Sequence, residues 1–343
     1  MNSKKKKQLQ IIPIGLAICL MGIITFLFLH FFTSDATSGP DDYDNGTPGI
    51  ENPGNNETPD GNTAAGLDTP DPNYGTYDLI QMSESDIGLG DLILVDGNNR
   101  YNIRTEDLDL VYIKDEKNAP YIVRFNDYRL LRRVIDPLDE MMQAFIDDND
   151  ENSITIYSAY RDEAAQQSIL DNFISTIGRE EAMRRAALPG HSEHHTGLAV
   201  DLSVLIDGID YSFDYRRFNF HEPTKWYFEN AHKFGFILSF PEDRTEDTGT
   251  IYEPWHYRYV GLPHSLITYT NNFLLKEYLD YIRQYSFENP LVYVLTVVEL
   301  DSAETTYRYE VYFTSGTDVK VPLNVEYDIS GNNIDGFIVT IKK

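Results

Sequence analysis

The stretch PGHSEHHTGLAVD, residues 189–201, carries most of the structural information in this sequence. It places a group of histidines just before Leu198–Leu202, an apolar, β-prone run that contains an aspartate and predicts a strand. A second motif, EPWH at residues 253–256, adds a histidine and a glutamate, and Pro254 argues against a helix there. The two motifs therefore predict polar side chains that project from the strands and strand ends of a sheet.

These motifs contain the donor groups of a hydrolytic metal site. Zinc accepts neutral imidazole nitrogen and carboxylate oxygen, and a catalytic zinc needs three protein ligands and one open position for water. The motifs predict a Zn²⁺ ion bound by His194, Asp201 and His256. Glu253, three residues before His256, is placed to act as general base on the bound water.

The residues alone leave two alternatives open. His191 and His195 flank His194, and adjacent residues on a strand point to opposite faces, so His194 and His195 should not both bind one metal. Spacing does not choose between them. Two histidines and one carboxylate also form the facial triad of non-haem iron oxygenases, but that site has no need of a glutamate base, so Glu253 favours hydrolysis.

Composition limits the remaining possibilities. The 343 residues are 41% hydrophobic, which is enough for one large or two moderate domains with a sizeable core. The formal charge of -27 argues against a nucleic-acid partner, because phosphate binding needs a basic surface. The single cysteine, Cys19, excludes an internal disulfide framework.

The N-terminal region predicts a membrane anchor. Residues 11–32 contain no charged side chain and are long enough to cross a bilayer as a single-pass transmembrane helix. Four lysines at positions 4–7 predict a cytoplasmic N-terminus, residues 1–10, and an extracellular catalytic domain on the cell membrane. A cleaved signal peptide is the rival interpretation. Residues 33–77 lack basic side chains and predict a disordered acidic linker.

The rest of the chain predicts a folded region at 78–288 and a β-rich C-terminal unit at 289–343. Hydrophobic periodicity and turn residues predict its elements. Strands are expected at Asp91–Asp96, Leu110–Ile113, Ile154–Tyr157, Leu198–Leu202, Leu291–Val298, Tyr307–Phe313 and Phe337–Ile341. Helices are expected from Asp127 onwards with a possible kink at Pro137, and over Asp162–Ile177, Trp226–Phe234 and Leu266–Tyr285.

Three motifs together resemble one family. SAYR at residues 158–161, SEHHTGLAVD at 192–201 and EPWH at 253–256 are similar, in order and spacing, to the VanY-like D-alanyl-D-alanine carboxypeptidases. That family belongs with the zinc peptidases related to lysostaphin and the hedgehog domain. The similarity extends over roughly residues 91–259. It implies an α+β fold in which an antiparallel sheet with flanking helices bears a zinc site, here followed by a small C-terminal β unit.

The resemblance also implies roles for individual residues. It selects His194 over its neighbours as a zinc ligand, together with Asp201 and His256, and it makes Glu253 the catalytic base. It further implies that Arg161 meets the C-terminal carboxylate of the substrate, with Gln166 and Ser192 as companions in substrate binding. A guanidinium suits this role because it binds a carboxylate through two parallel charge-assisted hydrogen bonds.

The expected function is a zinc-dependent D,D-carboxypeptidase that removes the terminal D-Ala from peptidoglycan stem peptides. An L,D-carboxypeptidase acting on tetrapeptides and a non-catalytic zinc-containing module that binds the cell wall are the alternatives. The chain departs from the family at Ala159, at His191 and at Ser239-Phe240, where glycine, tyrosine and an Arg-Tyr pair are frequent. None of these positions belongs to the expected metal set, and the last bears on substrate preference.

Overall fold

The computed structural model describes residues 10–13, 77–150, 152–206, 209–210, 218, 221–298 and 304–343. Fifteen strands lie in these ranges. They are β1 Gln10–Pro13, β2 Tyr77–Gln81, β3 Leu110–Tyr112, β4 Ile122–Val123, β5 Arg129–Leu131, β6 Ile154–Ser158, β7 Ala199–Ile206, β8 Ile209–Asp210, β9 Phe236–Leu238, β10 His256–Tyr259, β11 Leu291–Val298, β12 Glu304–Ser315, β13 Asp318–Pro322, β14 Tyr327–Gly331 and β15 Gly336–Lys342.

Helices connect and cover these strands. The α-helices of the described ranges are α1 Ile113–Glu116, α2 Arg132–Asn149, α3 Glu163–Ile177, α4 Arg179–Met183, α5 Lys225–Asn230, α6 Thr245–Thr248, α7 His264–Asn271 and α8 Leu275–Ile282. Short 3-10 helices are Glu84–Gly88, Thr105–Asp107, Glu193–Thr196, Glu222–Thr224, Ala231–Phe234 and Glu242–Arg244. The described residues therefore form a mixed α+β fold, as expected.

The first large sheet has the strand order β4-β6-β7-β10-β9, with β8 paired to β7. Its pairs are antiparallel except for β4 with β6. In the β7–β10 pair, Asp201 lies directly opposite His256, so residues from the two sequence motifs become neighbours on adjacent strands. The expected antiparallel sheet is present, and the register of its two central strands brings the motifs together.

The second large sheet is antiparallel throughout, with the order β1-β11-β12-β15-β14. Four of its strands lie in residues 291–342, which the sequence predicts to be β-rich. Helices α7 and α8 pack on it through one shared hydrophobic core that includes Ile267, Leu279 and Val311. The domain boundaries drawn from the sequence stay a prediction.

The main hydrophobic core lies between α2 and the first sheet. Buried side chains of α2 recur at helical spacing at Val134, Leu138, Met141 and Phe145, and so form one continuous apolar face. They pack with sheet residues such as Leu202 in the same core. Burial of each large apolar side chain contributes roughly 1.5–3 kcal/mol, so this face fixes the helix on the sheet that carries the motifs.

Three predicted elements differ from the structure. The helix expected from Asp127 begins at Arg132, because Arg129–Leu131 pairs as β5 with β3. The helix expected over Leu266–Tyr285 is two helices, separated near Asn272, whose φ of 53° ends the first one. Both differences come from local geometry that apolar periodicity does not contain.

The strand predicted at Asp91–Asp96 is also wrong, although its apolar side chains are buried. Its backbone groups form hydrogen bonds without pairing with a neighbouring strand. The Leu92 amide donates to Ser330 Oγ at 2.9 Å, and the carbonyls of Asp91 and Ile93 accept from Arg258 Nη2 at 3.1 and 3.0 Å. The segment thus joins the two sheets through the side chains of Ser330 and Arg258, together with one backbone hydrogen bond from Leu94 to Asn332, and not through strand pairing.

The predicted single-pass localisation in the cell membrane is overturned. Within the part of the chain that the structure describes, no helix combines the length and the apolar character needed to cross a bilayer. Residues 10–13, where the predicted anchor begins, form β1 and pair with β11. Residues 14–32 of that anchor, and residues 33–76 of the predicted linker, lie outside the described residues.

Candidate metal centre and substrate cleft

His194, Asp201 and His256 converge in the first sheet. Their ligand atoms all lie within 4.8 Å of one another, and all three residues are buried. His194 Nε2 is 3.2 Å from Asp201 Oδ2, and His256 Nδ1 is 2.9 Å from Asp201 Oδ1. The carboxylate of Asp201 thus lies between the two imidazoles, and the structure brings together the three side chains predicted as ligands.

Local structure explains each position. Asp201 and His256 face each other across the β7–β10 register. His194 lies on the 3-10 helix Glu193–Thr196 that leads into β7, and Gly197 ends that helix with a φ of 70°. A side chain at position 197 would also approach Leu110 Cδ2 to 2.8 Å, so glycine is required by both backbone and space. This tight turn brings the side chain of His194 close to that of Asp201.

The second nitrogen of each imidazole also has a partner. His194 Nδ1 is 2.6 Å from the carbonyl oxygen of Ala159, so Nδ1–H donates there and Nε2 is left towards Asp201. His256 Nε2 is 2.8 Å from Glu193 Oε2. Metal-binding histidines characteristically donate their other ring N–H to a carbonyl or a carboxylate, which fixes the ring and its tautomer.

Electrostatics in the cluster follow from burial and close pairing. Burial, assisted by Arg161, lowers the pKa of His194 to about 4. Burial acts against ionisation of Asp201, but the neighbouring His194 and His256 hold the pKa of that carboxyl well below its usual range. Burial also opposes the charge on His256, yet its bonds to Asp201 and Glu193 raise its pKa to about 10. The cluster therefore stabilises positive charge next to an ionised aspartate.

Glu253 lies beside the cluster. The 253–256 turn is closed by a hydrogen bond from the His256 amide to the Glu253 carbonyl at 3.1 Å, and Glu253 Oε2 lies 4.0 Å from His256 Nδ1. Burial raises the pKa of Glu253 to about 8, with Asp201 and Glu193 adding to the effect and His256 and Arg161 opposing it. A carboxyl with a pKa near neutrality is suited to both accept and return a proton.

The two competing histidines have other partners. His195 accepts from the Gly190 amide through Nε2 at 2.9 Å, and its Nδ1 is 2.6 Å from the Arg161 carbonyl. Both ring nitrogens of His195 are therefore occupied by backbone groups. His191 Nδ1 is 2.7 Å from the Asp96 carbonyl, and the ring lines the cleft outside the cluster. Of the three neighbours, His194 is the one in the cluster.

The cluster opens into a cleft of about 950 Å³. Arg161, Gln166 and Ser192 line it together with Glu253 and the three clustered residues. This volume lies at the upper end of the usual range for ligand sites, which is roughly 300–1,000 Å³. The cleft is thus larger than a dipeptide requires.

The three residues predicted to bind substrate differ in how their polar atoms are used. Within the described residues, Arg161 Nε and Gln166 Oε1 are buried without a hydrogen-bond partner. Gln166 Nε2 donates to the Ala187 carbonyl at 2.8 Å, which holds the amide in place. Ser192 Oγ lies 3.4 Å from the His194 amide and caps the 3-10 helix. Buried polar atoms without partners are costly, so those of Arg161 and Gln166 point to a ligand.

Sequence reasoning assigned no role at His256 to three residues, although Phe240 was noted as a departure from the family. Glu193 contacts its Nε2, Arg258 approaches Glu193 Oε1 to 3.6 Å, and the ring of Phe240 lies 4.9 Å from the His256 ring. One signal was available, because His256 and Arg258 are two apart on a strand and so share a face. The contact of Glu193 with His256 joins residues 63 apart and has no local signal.

Fold and site together define a metallopeptidase-like α+β hydrolase, and comparison with known proteins identifies the family. A profile of the VanY family, described as D-alanyl-D-alanine carboxypeptidase, matches residues 127–262. A D-alanyl-D-alanine carboxypeptidase of Enterococcus faecium is 36% identical over 281 residues, covering 78% of this chain and 82% of the relative. The chain belongs to this family, and the resemblance predicted from three motifs is confirmed.

One further relative and one solved structure are also similar to this chain. The bifunctional D-Ala-D-Ala dipeptidase and D-Ala-D-Ala carboxypeptidase VanXYC of Enterococcus gallinarum is 37% identical over 134 residues, or 39% of this chain and 70% of the relative. A solved structure of the vancomycin resistance D,D-dipeptidase VanXYg, in complex with a D-Ala-D-Ala phosphinate analog, has a TM-score of 0.65 and 32% identity. It covers 78% of this chain and 100% of that chain.

Proposed function

We propose that this protein is a zinc-dependent D,D-carboxypeptidase that removes the terminal D-Ala from peptidoglycan stem peptides. One observation carries the proposal: His194, Asp201 and His256 converge within 4.8 Å in a cleft that also holds Glu253 and Arg161, whose buried Nε has no hydrogen-bond partner among the described residues. Membership of a family of D-alanyl-D-alanine carboxypeptidases supplies the substrate class.

The residues fit a zinc ion by their chemistry. Two imidazole nitrogens and one carboxylate oxygen are a donor set that catalytic zinc takes, with a further position left for water or substrate. The remaining ring nitrogens are held by the Ala159 carbonyl and the Glu193 carboxylate, as metal-binding histidines usually are. When bound there, zinc would supply a Lewis acid that lowers the pKa of water and polarises the scissile carbonyl.

Glu253 is proposed as the general base. Its carboxylate lies beside His256 Nδ1, next to the position where water would be activated. Burial raises the pKa of Glu253 to about 8, which favours holding a transferred proton, and a cation bound beside it would favour the carboxylate form that accepts the proton. Glu253 would take a proton from the attacking water and then deliver it to the leaving amine of D-Ala.

Arg161 is proposed to bind the free carboxylate at the end of the substrate. Its guanidinium, whose Nε is buried, would form a charge-assisted pair with that carboxylate, and this pair would fix the terminal peptide bond over the metal centre. Gln166 Oε1, which is buried and without a partner among the described residues, would accept a backbone N–H of the peptide. Ser192 caps the N-terminus of the 3-10 helix and lines the cleft, and it is proposed as the third residue that contacts the substrate.

An assay with defined peptides tests this function. The full chain is incubated with UDP-MurNAc-pentapeptide and the products are identified by mass spectrometry. We expect release of the terminal D-Ala, loss of activity with a chelator and its recovery with added zinc. Activity that survives both the chelator and Glu253→Ala would exclude the mechanism.

The same assay separates the alternatives. Cleavage of a tetrapeptide substrate with the pentapeptide left intact would indicate an L,D-carboxypeptidase. Tight binding of muropeptides without any cleavage would indicate a non-catalytic module. A pentapeptide that ends in a C-terminal amide is the matched control, because it removes only the carboxylate that Arg161 is proposed to bind.

A further inference from the structure

Glu193 lies on the opposite side of the His256 ring from Asp201. Its Oε2 is 2.8 Å from His256 Nε2, and Ser239 Oγ donates to the same oxygen at 2.7 Å. The side chain is buried, with 8% of its residue surface exposed. Burial of a carboxylate costs free energy unless the charge is paired. The placement of Glu193 against one imidazole nitrogen therefore indicates a role at that ring.

Arg258 supplies the opposite charge. It follows His256 by two positions on β10, and its side chain is fully buried. Arg258 Nη2 is fixed by the carbonyls of Asp91 and Ile93, while Nη1 lies 3.6 Å from Glu193 Oε1. Among the described residues, that Nη1 atom has no hydrogen-bond partner, so its charge is available to Glu193. The arginine thus anchors the carboxylate behind the histidine.

This arrangement selects one orientation of His256. Both ring nitrogens of His256 face carboxylates. When a cation takes the place of the proton on the Asp201 side, Glu193 keeps the remaining proton on Nε2, and the lone pair is then on Nδ1. Nδ1 is the atom that faces Asp201, at 2.9 Å from Oδ1. A carboxylate that accepts a hydrogen bond from one nitrogen of a metal-binding imidazole also makes the other nitrogen a more basic ligand.

We propose that Glu193 is a positioning residue, which with Ser239 and Arg258 fixes the ring of His256 so that Nδ1 is presented for metal binding. This inference rests on the proposed zinc function. It assigns no contact with substrate to Glu193. The negative charge of Glu193 increases the affinity of the centre for a cation through His256.

Zinc affinity of the full chain tests the proposal without any turnover. Metal-free native protein, Glu193→Ala and Glu193→Gln are titrated with Zn²⁺ in competition with a chromophoric chelator. We expect Glu193→Ala to weaken binding roughly 10- to 100-fold, the range found when such a supporting partner is removed. Glu193→Gln keeps an oxygen that accepts from Nε2–H, so it should show a smaller loss.

Glu310→Gln is the matched control. Glu310 is a buried glutamate of the second sheet, paired with Arg308 and Lys343, and it lies on β12, away from the metal-binding strands. This variant should lose thermal stability and keep native zinc affinity. The melting temperature of each metal-free variant separates general destabilisation from a specific loss of zinc binding.

Each outcome has one meaning. Zinc affinity that is unchanged in both Glu193 variants overturns the positioning role while leaving the proposed function intact. A native chain that binds no zinc overturns the proposed function itself. If Glu193→Ala does not fold, Glu193→Gln decides, because its shape is conserved and a native affinity there contradicts the proposal.

Discussion

The two large sheets both bury charged side chains, yet they surround them differently. In the second sheet, Glu310 is held by Arg308 at 3.1 Å and by Lys343 at 3.0 Å, so its charge is neutralised within the fold. In the first sheet, Asp201 faces two imidazoles, and the nearby Glu253 has no cation in such close contact among the described residues. The buried carboxylate of the second sheet is thus paired with permanent cations, whereas that of the first sheet is paired with imidazoles that can also bind a metal ion.

Buried histidines show the same contrast. His264 forms hydrogen bonds with neutral hydroxyl groups, with Nδ1 2.6 Å from Tyr278 Oη and Nε2 2.9 Å from Thr340 Oγ1. His194 and His256 instead direct one nitrogen each at the same carboxylate. Burial and residue type are alike in the two places. Convergence of two imidazole nitrogens and a carboxylate on one point is what distinguishes a candidate metal centre from a satisfied core.

Replacement of a predicted metal ligand should have the largest effect on the difference between the two sheets. Asp201→Ala leaves two imidazoles where catalytic zinc needs three protein ligands, so zinc content should fall to background and D-Ala release should become undetectable. Glu310→Ala removes a carboxylate that is just as buried, and it should keep its zinc. Elemental analysis of both purified variants makes the comparison, and stoichiometric zinc in Asp201→Ala would contradict the assignment.

Glu253→Gln should separate metal binding from proton transfer. The amide keeps the size of the side chain but does not accept a proton, so we expect native zinc content with a rate lowered roughly 10²- to 10⁴-fold. Steady-state kinetics on the pentapeptide, together with zinc analysis of the same sample, measures both. A Gln variant with near-native turnover would remove Glu253 from the mechanism.

Arg161→Lys should have a smaller effect that is confined to substrates with a free carboxylate. Loss of the paired hydrogen bonds is expected to cost about 1.5–3 kcal/mol, or on the order of 10- to 150-fold in kcat/KM. The native chain should discriminate strongly between the free and the amidated peptide, and the variant should discriminate much less. Equal discrimination by both proteins would show that another group binds the carboxylate.

The last expected effect leaves the metal centre unchanged and concerns the stability that His264, packed on the second sheet, contributes. Burial lowers the pKa of His264 to about 3, from the ordinary value of 6.5 for a histidine side chain. Below pH 6.5 the unfolded chain takes up a proton that the native chain refuses. Stability is therefore lost as the pH falls from 6.5 towards 3, by up to about 1.4 kcal/mol per pH unit.

His264→Gln removes this contribution, so the free energy of unfolding of the variant should decline less steeply over that range. Urea denaturation of both proteins without metal at several pH values measures the difference, and other buried histidines cancel in it. Parallel pH profiles would mean that His264 does not resist protonation.

Much of the site could be predicted from the sequence, because its chemistry is concentrated in short motifs. The motifs name His194, Asp201, His256 and Glu253, and the β7–β10 register then brings the two segments together. The choice of His194 over its neighbours needed the family resemblance, since spacing left it open. The structure explains that choice through the backbone contacts of His195.

What could not be predicted depends on contacts between distant segments. Residues 91–96 are apolar enough for a strand, but Ser330 and Arg258 bond to their backbone instead. Glu193 is part of a recognisable motif, and only the fold shows that it stands behind His256. The predicted membrane anchor rested on the apolar length of residues 11–32 and on the lysines before them, and within the described residues no helix is long and apolar enough to cross a bilayer.

Diffraction at the zinc absorption edge, from crystals of the full chain grown with zinc, tests the central claim most directly. The account predicts one strong anomalous peak, bonded to His194 Nε2, an Asp201 carboxylate oxygen and His256 Nδ1. A peak at other side chains, or ordered side chains at these three positions with no peak between them, would contradict it.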